Sequence, residues 1–148
     1  MAAITTTGDG RSAFHILRNA TAQANTGQTD WVTTPSWAKY AQVYLNWSAM
    51  AGTTPLMDFK IHDADPVALN DTYKLDALGW NGITQLTTVP SPIIVQIGPG
   101  ITGIADDDTG PFYSLNGPLP VLMGFQITLD RTTGDETYTY TLSVKFSK

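Results

Sequence analysis

Apolar residues recur at every second position through much of this chain, and that period constrains the fold more than any other feature. Successive side chains of a β-strand point to opposite faces, so alternation predicts a strand with one buried face. The segment 137–146 shows the pattern most clearly. Its apolar positions are Tyr138, Tyr140, Leu142, Val144 and Phe146.

The alternation predicts two hairpins. The segment 121–130 alternates like 137–146, and the glycine-containing loop 131–135 joins the two. A second pair of strands, at 41–47 and 57–61, flanks a turn at 51–55. We expect each pair to form a β-hairpin. The side chains expected to face the core are Val43, Leu45, Trp47, Phe59, Ile61, Val95, Phe125, Ile127, Leu142 and Val144.

Residues 12–23 fit two interpretations. Phe14 and Ile16 alternate as in a strand, whereas Ile16, Leu17 and Ala20 share a face of a helix together with Ala13. We favour the strand. Elsewhere the helical signal is limited to one turn after Asp65-Pro66, which can cap a helix through Leu69.

Proline and glycine mark the turns between the strands. A strand at 92–97 is followed by Pro99-Gly100. Proline fixes a negative φ and glycine accepts a positive one, so this pair fits the centre of a type II turn.

The composition agrees with a sheet protein of one domain. The chain has 148 residues, 42% hydrophobic and 14% charged, with 22 threonines and one glutamate, Glu136. We therefore expect an all-β fold, an antiparallel jelly-roll-like β-sandwich over residues 31–148. Residues 1–30 are polar and carry little sustained alternation, so they predict an extended N-terminal arm.

Charge and cysteine content exclude several classes of partner. With 8 Lys+Arg, spread along the chain, and a net charge of −5, the sequence offers no basic patch for nucleic acid. No apolar run is long enough to span a membrane, and the start of the sequence does not resemble a signal peptide. We expect a soluble protein that is not secreted. Cysteine is absent, which excludes disulfides and thiolate sites.

Side chains that could carry catalysis or hold a metal are few. His15 and His62 lie far apart in the sequence, without the spacing that presents two imidazoles to one metal. Asp106, Asp107 and Asp108 are a weak candidate for calcium, because they lack the alternate spacing of an EF-hand loop. We therefore expect no enzymatic activity, no cofactor and no tightly bound metal.

Three tryptophans are candidates for binding. Trp31, Trp37 and Trp80 lie in segments rich in proline or glycine, where indoles can form a sugar platform or anchor a protein interface. Trp47 shares the parity of the core positions and is expected to be buried.

A set of turn motifs carries a family resemblance. They are the strand Val43 to Ser48, the turn Gly52 to Pro55, the segments Asp63 to Pro66, Ile97 to Gly100 and Leu119-Pro120, and the final segment Gly134 to Phe146. In this layout, over about residues 37 to 148, the chain resembles the small β-sandwich head decoration, or cement, proteins of tailed bacteriophages.

The resemblance implies a non-enzymatic virion protein that binds the outer surface of a capsid, assembles in the host cytoplasm and bridges major capsid subunits. It also implies a homo-oligomer, a dimer or a trimer. In this interpretation the apolar residues of the arm, Phe14, Ile16 and Leu17 together with Trp31, bury against another chain. Alternatives are a carbohydrate-binding or receptor-adhesion module, and a head-completion or tail protein.

Overall fold

The structure is a computed structural model, and it describes residues 3–7, 12–23, 28–53, 56–63, 83–86, 92–102, 112–130 and 136–148. These residues form ten strands. The strands are β1 (Ala3–Thr7), β2 (Ser12–Gln23), β3 (Gln28–Thr33), β4 (Tyr40–Ala51), β5 (Leu56–Asp63), β6 (Ile83–Leu86), β7 (Ile93–Gly98), β8 (Phe112–Asn116), β9 (Leu122–Asp130) and β10 (Thr137–Ser147).

The strands form two sheets, which confirms the all-β prediction. One sheet has six strands in the order β1-β2-β10-β4-β7-β8, and the other has four in the order β3-β9-β5-β6. Neighbouring strands are antiparallel except β7 and β8, which run parallel. The expectation of a wholly antiparallel fold is therefore wrong for that one pair of the described strands.

Both sheets contribute to one hydrophobic core, which gives the molecule its β-sandwich character. Every side chain that the alternation placed in the core is buried, so the predicted faces of the strands are confirmed. In the middle of the six-stranded sheet, Val144, Val43 and Val95 lie opposite one another on three adjacent strands, each with no exposed surface. In the four-stranded sheet, Phe59 pairs with Ile127 and Ile61 pairs with Phe125.

The two predicted hairpins are wrong, although their strands are present. β4 pairs with β10 and β7, while β5 pairs with β9 and β6, so the turn after Ala51 connects the two sheets. The connection between β9 and β10 crosses in the same way, because these strands also belong to different sheets. Alternation identifies the buried face of each strand, and crossing between sheets satisfies it as well as a hairpin does.

The structure does not confirm the predicted arm at residues 1–30 in the part of this segment that it describes. β2 lies between β1 and β10 in the six-stranded sheet and pairs with β10 over most of its length. Ala13 and Leu17 are buried in the core. A boundary at residue 30 would therefore cut through one packed unit, and the strand interpretation of residues 12–23 is confirmed.

Glycine has a defined role in two connections. Gly100 has a φ of 75°, as position three of a type II turn requires, and this confirms the predicted Pro99-Gly100 turn. Gly52 has a φ of 125° and lies against the backbone of Glu136, so a side chain would not fit there. The predicted helical turn at 66–69 lies outside the described residues.

Specific polar contacts join the two sheets. The Tyr138 hydroxyl, on β10, donates to the carbonyl of Leu56 at 2.9 Å and accepts from its amide at 3.0 Å, at the start of β5. The Arg18 guanidinium, on β2, contacts the Asp30 carboxylate of β3 at 2.7 Å. Both contacts connect a strand of the larger sheet to one of the smaller sheet.

Tyr138→Phe should lower the free energy of unfolding by about 1–3 kcal/mol, because it leaves both backbone groups of Leu56 without this partner. Denaturant unfolding measures the change. Tyr44→Phe is the matched control, since the Tyr44 hydroxyl donates to the Gln42 side chain, at 2.8 Å, on the outer side of the sheet and does not join the two sheets. An equal loss in both variants would contradict the assigned role of Tyr138.

The free energy of unfolding should fall at alkaline pH because of Tyr140. Burial raises the pKa of Tyr140 from 10.0 to about 12, with Arg18 lowering the pKa and Asp30 raising it. As the pH rises, the Tyr140 hydroxyl therefore loses its proton in the unfolded chain before it does so in the folded protein. The contribution of neutral, buried Tyr140 to the free energy of unfolding is fully present below pH 10 and is lost as the pH rises through 12. The expected loss is about 2–3 kcal/mol.

Urea unfolding at pH 9 and at pH 11.5 tests this effect in the wild type and in Tyr140→Phe. The variant should lose less stability between the two values than the wild type does. Identical pH dependence in the two proteins would show that Tyr140 is not the group responsible.

Candidate functional site

The outer face of the six-stranded sheet carries a row of residues that crosses five strands and is apolar on four of them. Ile16 on β2 lies opposite Ser143 on β10, and Ser143 lies opposite Tyr44 on β4. Tyr44 in turn pairs with Ile94 on β7, which pairs with Phe112 on β8. Paired residues share a face of the sheet, so these side chains form one line.

Phe14 extends this row to a patch. It lies two residues before Ile16 on β2, and therefore on the same face, opposite Lys145. We call Phe14, Ile16, Tyr44, Ile94 and Phe112 the outer patch. At about 4.8 Å between strands, it spans about 19 Å from β2 to β8.

The exposure of the outer patch is graded across the sheet. Phe112, on the edge strand, is 49% exposed, while the other four side chains are partly buried. The small side chain of Ser143 is buried between its neighbours in the row. The solvated face of a sheet normally carries polar residues, so five apolar side chains there make this face the candidate interaction surface.

Two of the three apolar candidates of the first 30 residues thus lie in the outer patch. Leu17 does not, because it points into the core and is 7% exposed. The pairing of β2 with β10 shifts register beside it, between Leu142 and Ser143, which brings Arg18 opposite Leu142. The structure therefore places Leu17 in the core of its own chain and does not support the prediction that it contacts another chain.

The tryptophan candidates do not lie on the outer patch. Trp31, on β3, pairs with Gly124 of β9, and its six-membered ring fills the space that a Cβ at position 124 would need. Trp31 is partly buried on the outer face of the four-stranded sheet. Trp37 lies between β3 and β4 and packs against the core. Trp80 lies outside the described residues.

The structure brings together no set of metal ligands in the part of the chain that it describes. There, no three His, Cys, Asp or Glu side chains approach as metal ligands would. His15, on the larger sheet, packs edge-on against Phe146, with 5.7 Å between the ring centroids. Burial lowers the pKa of His15. His62, on the smaller sheet, lies 3.0 Å from the Gln126 amide oxygen through Nε2. Residues 106–108 lie outside the described ranges.

Sequence reasoning missed three members of the outer patch. Tyr44 and Ile94 occupy the outward parity of strands whose inward positions are also apolar, as in Ile93-Ile94-Val95. Apolar residues at the outward positions of these strands, in addition to the inward ones, are the sequence feature that could have predicted this part of the outer patch. Phe112 gives no such signal, because only the parallel pairing of β8 with β7 places it beside Ile94.

The described part of the chain contains no helix long and apolar enough to cross a membrane. Comparison with known proteins finds no matching family model, no matching curated protein and no matching solved structure.

Proposed function

We propose that this chain is a non-enzymatic structural protein of a phage virion, which binds the outer surface of the capsid and bridges major capsid subunits. The outer patch is the observation that carries the proposal. An apolar line that is interrupted only by the small, buried Ser143, on an otherwise solvated sheet face, is suited to burial against a protein. The aromatic rings of Tyr44 and Phe112 are typical anchors of such contacts.

The proposal includes a jelly-roll architecture. The order of the strands supports it: the central strands β2-β10-β4-β7 of one sheet face β3-β9-β5-β6 of the other. Two interleaved Greek keys of eight strands produce this order, and viral capsid domains are among the proteins that use it. In this description β1 and β8 are additions at the two edges of the larger sheet. Lectins and cupins use jelly rolls too, so the architecture alone does not select a function.

Bridging between capsid subunits would rest on the sheet face, since residues 12–23 belong to the sheet. A patch of about 19 Å extends along one direction, and such a line can lie across the boundary between two subunits. If the chain is a dimer or a trimer, several weak contacts act together and strengthen attachment by about 10² to 10⁴. The net charge of −5 suits the exterior of a shell better than contact with packaged DNA.

The alternative of a carbohydrate-binding or receptor-adhesion module needs Trp31, Trp37 and Trp80 on one exposed face. The packing of Trp37 against the core argues against a platform that includes it. A head-completion or tail protein is the other alternative, and it predicts a ring oligomer in solution in place of attachment to shells.

Cosedimentation with capsid shells tests the proposed function. Shells that lack the chain are mixed with increasing amounts of the purified full chain, and the bound protein is measured. The proposal predicts saturation at a fixed ratio to the major capsid protein and a higher disruption temperature of the decorated shells. Failure to bind at micromolar concentration, or binding without saturation, would contradict it.

A further inference from the structure

A pocket of about 420 Å³ lies where three connections of the fold meet, away from the outer patch. They are the segments after β3, after β7 and before β9. The volume is in the range of pockets that hold a ligand or a large side chain. The residues that define its character are Pro35, Lys39, Pro99, Pro118, Leu119 and Pro120.

Hydrogen bonds between the connections hold the pocket in shape. The amide of Thr34 donates to the carbonyl of Val121 at 2.9 Å, which joins the first connection to the third. The amide of Gly117 donates to the carbonyl of Gly98 at 3.1 Å and joins the third to the second. The pocket is therefore formed before a ligand arrives, and binding costs little conformational entropy.

The chemistry of the walls selects the ligand. The four proline rings have no amide hydrogen to satisfy, and they present rigid, flat apolar surfaces. Such surfaces pack well on aromatic rings, the complementarity by which proline-rich segments bind aromatic grooves. Lys39 is the one charged side chain among the described residues that line the pocket, and it is exposed. Its ammonium group favours a carboxylate next to the ring.

An exposed apolar rim supports a protein ligand. Val121, at the edge of the pocket, is 64% exposed, more than Phe112, the other large apolar side chain exposed among the described residues. A peptide that inserts a ring into the pocket would also cover Val121, whereas a small molecule confined to the pocket would leave the rim in water.

We propose that this pocket binds a peptide segment of a partner protein in which an aromatic residue stands next to an acidic one. The ring lies between the prolines, and the carboxylate pairs with Lys39. This site goes beyond the proposed capsid binding and does not depend on it, because the pocket and the outer patch share no residue.

Nuclear magnetic resonance on the isolated full chain tests the proposal. The ¹⁵N-labelled protein is titrated with a capped tetrapeptide that contains aspartate followed by tryptophan. Two further peptides replace the aspartate by lysine or the tryptophan by leucine. We expect saturable shifts of the amides of Ala38, Leu119 and Val121. The lysine peptide should bind about fivefold more weakly, as should the leucine peptide.

Charge reversal provides the control. The Lys39→Glu variant should bind the lysine peptide more tightly than the aspartate peptide, the reverse of the wild type. In Lys60→Glu, which makes the same change of charge on β5 outside the pocket, the preference should stay with the aspartate peptide. The absence of saturable shifts at the three amides would overturn the proposal, and so would an unchanged preference in Lys39→Glu. Because no shell is present, neither result bears on capsid binding.

Discussion

A chain that begins at residue 24 is expected to lose its cooperative unfolding transition. The deletion removes β1 and β2 and leaves one edge of β10 without its ladder partner along most of its length. It also removes Ala13 and Leu17 from the core and uncovers Phe146, which has no exposed surface in the intact protein. Burial of one leucine contributes about 1.5–3 kcal/mol, and each ladder hydrogen bond about 0.5–1.5 kcal/mol. Added over the lost ladder hydrogen bonds and the lost core side chains, these contributions reach the free energy of unfolding of a typical domain, about 5–15 kcal/mol.

Near-ultraviolet circular dichroism and denaturant unfolding measure the effect of this deletion. A shorter deletion, of residues 1–7, is the control, since it removes only the edge strand β1, which pairs with β2 alone among the described strands. The shorter chain should fold with reduced stability. If the chain that begins at residue 24 unfolded cooperatively at the same denaturant concentration as the intact protein, the position of β2 in the sheet would be wrong.

Ile94→Lys is expected to weaken binding to capsid shells at least 100-fold. Ile94 lies between Tyr44 and Phe112 in the outer patch, and a lysine there would carry a charge into the centre of the interface. Loss of a central anchor residue weakens the binding free energy by about 2–4 kcal/mol, and an uncompensated charge buried in the interface weakens it further. The fold should persist, because Ile94 is only partly buried and the long lysine side chain can reach solvent.

The matched control introduces the same charge on the opposite side of the molecule. Thr128 is exposed on β9 of the four-stranded sheet, so Thr128→Lys should bind shells like the wild type. Cosedimentation gives both affinities, and denaturant unfolding verifies that both variants are folded. If Thr128→Lys lost binding while Ile94→Lys kept it, the interaction surface would lie on the smaller sheet.

The buried faces of the strands were predictable because they depend only on local alternation. Val43, Phe59 and Phe125 each belong to a run with period two, and a shift by one residue would have exposed the whole run. The neighbours of each strand were not predictable in this way. The turn at 51–55 has hairpin chemistry, yet it joins strands of opposite sheets, because pairing is decided by packing between segments distant in the sequence.

The position of the first 30 residues shows the same limit. Their polar composition predicted an extended arm. In the structure, Phe14 and Leu17 lie on opposite faces of β2, and the face that carries Leu17 packs into the core. The outer patch could be predicted in part, through Phe14 and Ile16. Its full extent depends on the order of five strands, and that order brings Phe112 next to Ile94 although 17 intervening residues separate them.

A reconstruction of decorated capsids by electron cryomicroscopy tests most directly whether this chain attaches to a shell through the outer patch. The account predicts density for the β-sandwich on the exterior of the shell, with Tyr44, Ile94 and Phe112 facing the major capsid protein and contacts to more than one of its subunits. Particles on which the outer face of the six-stranded sheet points to solvent, or which carry no density for the chain on their exterior, would contradict it.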